Sequence, residues 1–157
     1  MTEPITRELT LHCSAEHAFA SFTTEFGSWW PPEYTWSGAG LESIALGHGV
    51  GDCCSEIGPA GFRLDWGTIL GWEPGERLLF SWHIGADRVP CPNPGDASTI
   101  EVRFEQVPGA HSRLIFEHRD LDRHGDTAEA YRAALDSDAG WTFILQRFVE
   151  YANKTGG

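Results

Sequence analysis

The first regular pattern along the chain is alternation. In residues 5–12, ITRELTLH, the side chains of Ile5, Arg7, Leu9 and Leu11 share one face and those of Thr6, Glu8, Thr10 and His12 the other. That period of two predicts a half-buried strand. Ser14 follows in the position of a helix N-cap, with Ala15 and Glu16 in the first turn. His17 stands where a capping box would need Glu or Gln. Ala18, Phe19, Phe22 and Phe26 then recur at helical spacing, so a short helix should lie against a sheet, cut at Gly27 and stopped by Pro31 and Pro32.

From residue 41 the period changes. LESIALG, GVGDCCSEI, FRLDWGTILGW, RLLFSWHI, STIEVRFEQV and HSRLIFEHR read as strands separated mainly by Gly, Pro, Asp or Asn. Short turns at GWEPGE and QVPGAH favour an antiparallel meander. Residues 86–97, ADRVPCPNPGDA, form a longer loop suited to flank a pocket mouth.

The alternation also assigns faces. Phe62, Leu64, Trp66, Thr68, Leu70 and Trp72 fall on one side of their strand, and Leu78, Phe80, Trp82 and Ile84 on one side of the next. Ile100, Val102 and Phe104, then Leu114, Phe116 and His118, continue this dry face, while Glu101 and Glu105 lie on the wet one as solvated carboxylates. After a polar tract from Asp120 to about Asp126 come the helix-prone TAEAYRAALDSDAG and a final helix, AGWTFILQRFVEYANK. Trp141, Ile144, Leu145, Phe148 and Tyr151 give that last helix an apolar stripe that can cross the dry face, with Asp136 or Ser137 capping its start.

Composition sharpens this picture. At 157 residues with no repeat or second core, the chain reads as one domain over 1–157, its core running from about 5 to 152. Seven Trp and nine Phe concentrate apolar area in few positions and argue against disorder. A formal charge of -12 opposes nucleic acid and anionic membrane surfaces as partners. The N-terminal stretch lacks the basic and apolar regions of a secretory signal, which predicts a cytoplasmic location. Cys13, Cys53, Cys54 and Cys91 follow no repeated C-x-x-C pattern and are expected as free thiols, with the side chains of Cys53 and Cys54 on opposite faces of a strand.

The order of strand, short helices, six strands and long helix resembles the helix-grip domain of the START and birch-pollen-allergen superfamily. More specifically, AEHAFASFTTEFGSWWPPEY, GTILGWEPGERLLFSWH, STIEVRFEQV and AGWTFILQRFVEY resemble the family named for the Hsp90 ATPase activator homologue, over residues 5 to about 152. The matching features are Trp29, Trp30 and Pro31 after the first helix, Trp72, Glu73, Pro74 and Trp82 around a central turn, and Gly140 and Trp141 entering the last helix. Two stretches depart from the family pattern: Cys53 or Cys54 stands where an aromatic residue is usual, and Gly109, Ala110, His111 and Ser112 where Gly-Thr is usual. The resemblance implies an α+β helix-grip fold, a curved antiparallel sheet wrapped around a long C-terminal helix, with two short helices after the first strand. It also implies a cavity between sheet and helix, and relatives that bind hydrophobic molecules, act as cyclases or associate with the Hsp90 chaperone.

The leading expectation is therefore a small hydrophobic or aromatic ligand held by Trp66, Phe80, Trp82, Phe104, Phe116, His118, Trp141 and Leu145. The opposing expectation is that these rings fill the space themselves. No catalytic group, metal or cofactor is assigned: a G-x-S-x-G elbow and an H-E-x-x-H motif are both absent, and His118, Asp120, Asp122 and His124 sit in too polar a tract to be read as a metal site. Two alternatives stay open. One is a stress-related, co-chaperone-like domain with a protein partner, for which Trp29 and Trp30 could offer an aromatic edge. The other is a cyclase- or dehydratase-like enzyme in which His118 moves a proton, His83 being the weaker candidate on the opposite face. The chain is expected to be a monomer or homodimer.

Overall fold

A computed structural model of the chain describes residues 2–91, 93–109 and 111–156. Pro92 of the long loop and Ala110 of the turn that departs from the family pattern lie outside the described residues. Seven strands, β1 (Ile5–Leu11), β2 (Ser43–Ala45), β3 (Cys53–Ile57), β4 (Arg63–Glu73), β5 (Arg77–Trp82), β6 (Ser98–Val107) and β7 (His111–Arg119), form one curled sheet ordered β1-β7-β6-β5-β4-β3-β2. Every pairing is antiparallel. Strands β2 to β7 make the expected meander, and β1 closes onto β7 with Leu9 opposite Leu114.

Helices α1 (Ala15–Thr23) and α2 (Phe26–Trp29) follow β1, while α3 (Ala128–Leu135) and α4 (Trp141–Gly156) end the chain. This is the α+β helix-grip arrangement. The Ser14 side chain accepts the His17 N–H at 3.1 Å and caps α1 as its sequence position predicts. On α4 the apolar stripe buries Trp141, Ile144, Leu145, Phe148 and Ala152 against the sheet and α1.

Gly27 does not cut a helix but lies inside α2, where a Cβ would stand 2.8 Å from the Ile44 carbonyl oxygen. Its role is to let α2 approach β2. The start of α4 also differs from expectation. Asp136 follows α3 and pairs with Arg7 at 2.7 Å, the Ser137 hydroxyl donates to the Ala134 carbonyl, and α4 opens with the Ile144 N–H on the Gly140 carbonyl. Neither Asp136 nor Ser137 is its cap.

The face assignment of β4 needs a larger correction. Phe62 is 42% and Leu70 47% exposed, whereas Ile69, assigned to the other side, is fully buried at 0%. The inversion arises between Trp66 and Ile69, both buried. The β4–β5 register then jumps between Ile69 and Gly71, so Leu70 is an extra residue in a bulge that returns Trp72 to the core side. A second irregularity in the β3–β4 pairing sets Cys54 opposite Gly67 and Ser55 opposite Asp65, leaving Trp66 between them. At Gly67 a Cβ would lie 2.4 Å from the Ser81 carbonyl oxygen, so this bend requires glycine.

Glu101 is also not a freely solvated carboxylate. It accepts from Arg77 at 2.6 Å, Arg119 at 2.6 Å and Arg103 at 3.0 Å. Burial opposes its charge, but the three guanidinium groups outweigh burial and hold its pKa at about 2. All four cysteines are free, with Cys53 exposed and Cys54 buried, and burial pushes the Cys54 thiol up to about 12. Among the described residues no helix is long and apolar enough to cross a membrane.

Candidate functional site

The inward positions of β4 to β7 and the first turns of α4 bring the aromatic side chains together. Trp82 meets Trp141 at 5.6 Å between ring centroids and Trp66 at 5.8 Å. Phe80 lies edge-on to Trp66 at 6.1 Å, and Phe116 meets Trp141 at 4.7 Å. Leu145 is buried on α4, and Phe104 packs farther along the sheet, against Phe19 and Phe22. Trp66, Phe80, Trp82, Phe116, His118 and Trp141 thus form one nest, with Phe104 joined to it through the α1 side of the core.

Sequence reasoning left Trp30 out of this nest. Its ring lies 6.3 Å from Trp66 and Trp82 and 6.2 Å from Trp141, and it is stacked on Phe26 at 5.0 Å. Trp29 and Trp30 are both buried, so they do not present an outward aromatic edge. Trp30 belongs to the start of an irregular segment, because Pro31 and Pro32 end the helical path just after it.

The rings occupy the space between sheet and helix. Two open concavities lie elsewhere, one of about 200 Å³ beside Ser28, Arg147, Glu150 and Lys154 and one of about 280 Å³ beside Glu73, Glu76, Arg77 and Arg103.

His118 is the polar centre of the nest and is fully buried at 0% exposure. The Trp141 indole N–H donates to His118 Nδ1 at 3.1 Å, and His118 Nε2 lies 2.8 Å from Ser98 Oγ. An indole nitrogen can only donate, so Nδ1 must be the acceptor and Nε2 carries the proton toward Ser98. Ser98 Oγ in turn is 2.7 Å from His124 Nε2. Burial, and secondarily the neighbouring His124, lower the His118 pKa to about 3. His118 is neutral with both ring nitrogens engaged.

Ser98 and His124 complete this chain. The first was legible in principle, since Ser98 shares the face of Ile100 and Val102. His124 reaches Ser98 from a short 3-10 segment, Leu121–Thr127, that sequence reading left irregular. Asp120 there pairs with Arg123 at 3.6 Å, and no group of three metal-ligating side chains occurs among the described residues. On the other face His83 Nε2 lies 2.9 Å from Ser81 Oγ, outside the nest.

Tyr131 of α3 fixes a second edge. Its hydroxyl accepts from the Trp82 indole N–H at 2.8 Å and donates to the Ile84 carbonyl at 2.7 Å, and burial raises its pKa to about 12. Trp66 differs. Its Nε1–H is buried and has no hydrogen-bond partner among the described residues, a condition that costs about 1–3 kcal/mol.

Comparison with known proteins adds to this geometry. The family described as Activator of Hsp90 ATPase homolog 1-like protein matches residues 12–153. No curated protein matches the sequence. Among solved structures, the anthrahydroquino-gamma-pyrone synthase Txn09, complexed with SUM, is 31% identical with a TM-score of 0.66, covering 95% of this chain and 96% of its own. The self-sacrificing resistance protein CalC from Micromonospora echinospora is 24% identical with a TM-score of 0.69, covering 98% and 96%. The Aha1 dimer from Colwellia psychrerythraea is 15% identical with a TM-score of 0.65, covering 99% and 100%. The last two likenesses carry the fold alone. Family and fold together fit hydrophobic ligand binding in a helix-grip domain.

Proposed function

The chain belongs to the activator of Hsp90 ATPase homolog 1-like family, and from that premise we propose that it binds a small, flat hydrophobic molecule in the aromatic nest between the sheet and α4. The observation that carries this reading is the convergence of Trp66, Trp82 and Trp141 on Trp30, a ring supplied by an irregular segment and not by the sheet or α4. Ring faces offer a flat ligand offset and edge contacts of about 0.5–1.5 kcal/mol each beyond area burial. Trp30 is the ring that belongs to neither the sheet nor α4, and in this reading it gives way when the ligand enters. The relation to a synthase at 31% identity supports an aromatic ligand, and the four free thiols fit a reducing compartment such as the cytoplasm.

The polar groups favour binding over catalysis. With both His118 nitrogens engaged by Trp141 and Ser98, the imidazole has no free position for a proton on a ligand. Its task in this reading is to hold Trp141 at a fixed angle. Protein docking through Trp29 and Trp30 is the weaker reading, because both rings are buried.

The test is a titration with prodan, a neutral naphthalene ketone whose emission moves to the blue in apolar surroundings. The protein should bind prodan with a blue shift, and a folded Trp66→Ala variant should lose at least about tenfold in affinity, the loss of about 1.4 kcal/mol. Unchanged affinity in the folded variant would remove the nest as the binding site.

A further inference from the structure

Trp66 is set apart from the other buried indoles by what its N–H lacks. Trp29, Trp30, Trp82 and Trp141 each donate to an acceptor: the Ser21 carbonyl, the Tyr34 carbonyl, the Tyr131 hydroxyl and His118 Nδ1. The Trp66 indole is only 3% exposed, and its Nε1–H finds no acceptor among the described residues. Phe26, Trp30, Phe80 and Trp82 surround it with rings, none of which carries an acceptor oxygen. A buried donor in an apolar wall selects for whatever brings it an acceptor.

Shape and charge narrow the choice. Phe26, Trp30 and Trp66 lie nearly parallel, with interplanar angles of 21° for Phe26–Trp30, 25° for Phe26–Trp66 and 16° for Trp30–Trp66. A molecule taking the place of the Trp30 ring must therefore be flat and at least as large as an indole. The Trp30 side chain has one polar tie, an indole hydrogen bond of 3.4 Å to the Tyr34 carbonyl within its own segment, and is otherwise held by ring contacts that a flat ligand can replace. The polar side chains at the nest are neutral or already engaged. His118 lies between Trp141 and Ser98, the Tyr131 hydroxyl is held by Trp82 and Ile84, and the nearby buried Glu56 carboxylate accepts the Trp36 and Ser37 N–H groups. An anionic ligand would find no counter-ion there and would meet the full cost of desolvation.

Resting on the binding reading above, we infer that the ligand is a neutral, planar, fused-ring aromatic ketone or related carbonyl compound that enters the Trp30 position and accepts the Trp66 Nε1–H through its carbonyl oxygen. The carbonyl gives the site chemical selectivity that ring stacking lacks, since stacking alone treats flat hydrocarbons and flat ketones alike.

The experiment compares 1-indanone with indane, bicyclic molecules close in size to an indole that differ in the carbonyl. Each is titrated into full-length ¹⁵N-labelled protein while the indole N–H cross-peaks are followed, the Trp66 signal being assigned by its loss in Trp66→Phe. Indanone should bind about tenfold more tightly than indane and move the Trp66 signal downfield, and Trp66→Phe should bring the two affinities together. Equal affinities in the unaltered protein, with both compounds perturbing the nest, would overturn the carbonyl inference and leave the binding reading intact. If neither compound perturbed the indole signals of the nest, both would fall. The unaltered protein supplies the central comparison, so a misfolded Trp66→Phe variant would not obscure the result.

Discussion

At His118 a single side chain carries both a sequence expectation and its correction. Alternation along β7 placed it on the dry face with Leu114 and Phe116, where it lies. Its use as a proton carrier does not follow from that position, because the partners that occupy its nitrogens come from β6 and α4 and no local pattern links them. The consequence is measurable. Its folded pKa of about 3 lies below the ordinary histidine value of 6.5, so in that interval the unfolded chain binds the extra proton. Stability from this group is present above pH 6.5 and is lost as pH falls toward 3, with a slope approaching about 1.4 kcal/mol per pH unit. Denaturant unfolding between about pH 6.5 and 5.5, above the range in which Glu101 takes up protons in the unfolded chain, should show this decline. His118→Gln, which keeps a donor and an acceptor but does not titrate, should make it shallower, the remainder coming from His124, whose pKa burial also lowers. An equally steep decline in that variant would assign the pH dependence to other groups.

Among the elements, long strands were legible and their irregularities were not. Period-two counting finds β4 because Leu64, Trp66 and Trp72 alternate, yet it assigns Leu70 to the core and Ile69 to the surface. A bulge adds one residue without any compositional mark beyond the nearby glycines. The turn between α3 and α4 shows the same limit: Asp136 and Ser137 look like caps, but the close approach at Gly140 decides where α4 begins. There a Cβ would fall 2.1 Å from the Leu135 carbonyl oxygen. The bend beside Trp66 can be tested directly at Gly67, where the obstructing atom is backbone. Gly67→Ala should destabilise the fold by about 1–3 kcal/mol, the usual range for forcing an extra carbon into a packed interior. Thermal or urea unfolding would measure this, and a variant as stable as the parent would show that β4 and β5 can separate at little cost.

Across the whole molecule, the sequence and its family resemblance made the architecture readable because seven strands and the α4 stripe agree on one buried face. Whether that face keeps a space or fills it was not readable, since this depends on rings separated by over a hundred residues in the chain. Trp30 and Trp141 meet at 6.2 Å only after the sheet has curled and α4 has crossed it. The formal charge of -12 lies around this neutral nest and works against anionic ligands at long range. The position of a bound aromatic molecule therefore decides whether the nest is the binding site. An isotope-filtered nuclear Overhauser experiment on labelled protein with unlabelled prodan measures that position. Binding in the nest gives contacts from the naphthalene protons to Trp66, Trp82, Trp141 and Leu145. Contacts confined to the surface concavities beside Ser28 and Arg147 or beside Glu76 and Arg103 would contradict it.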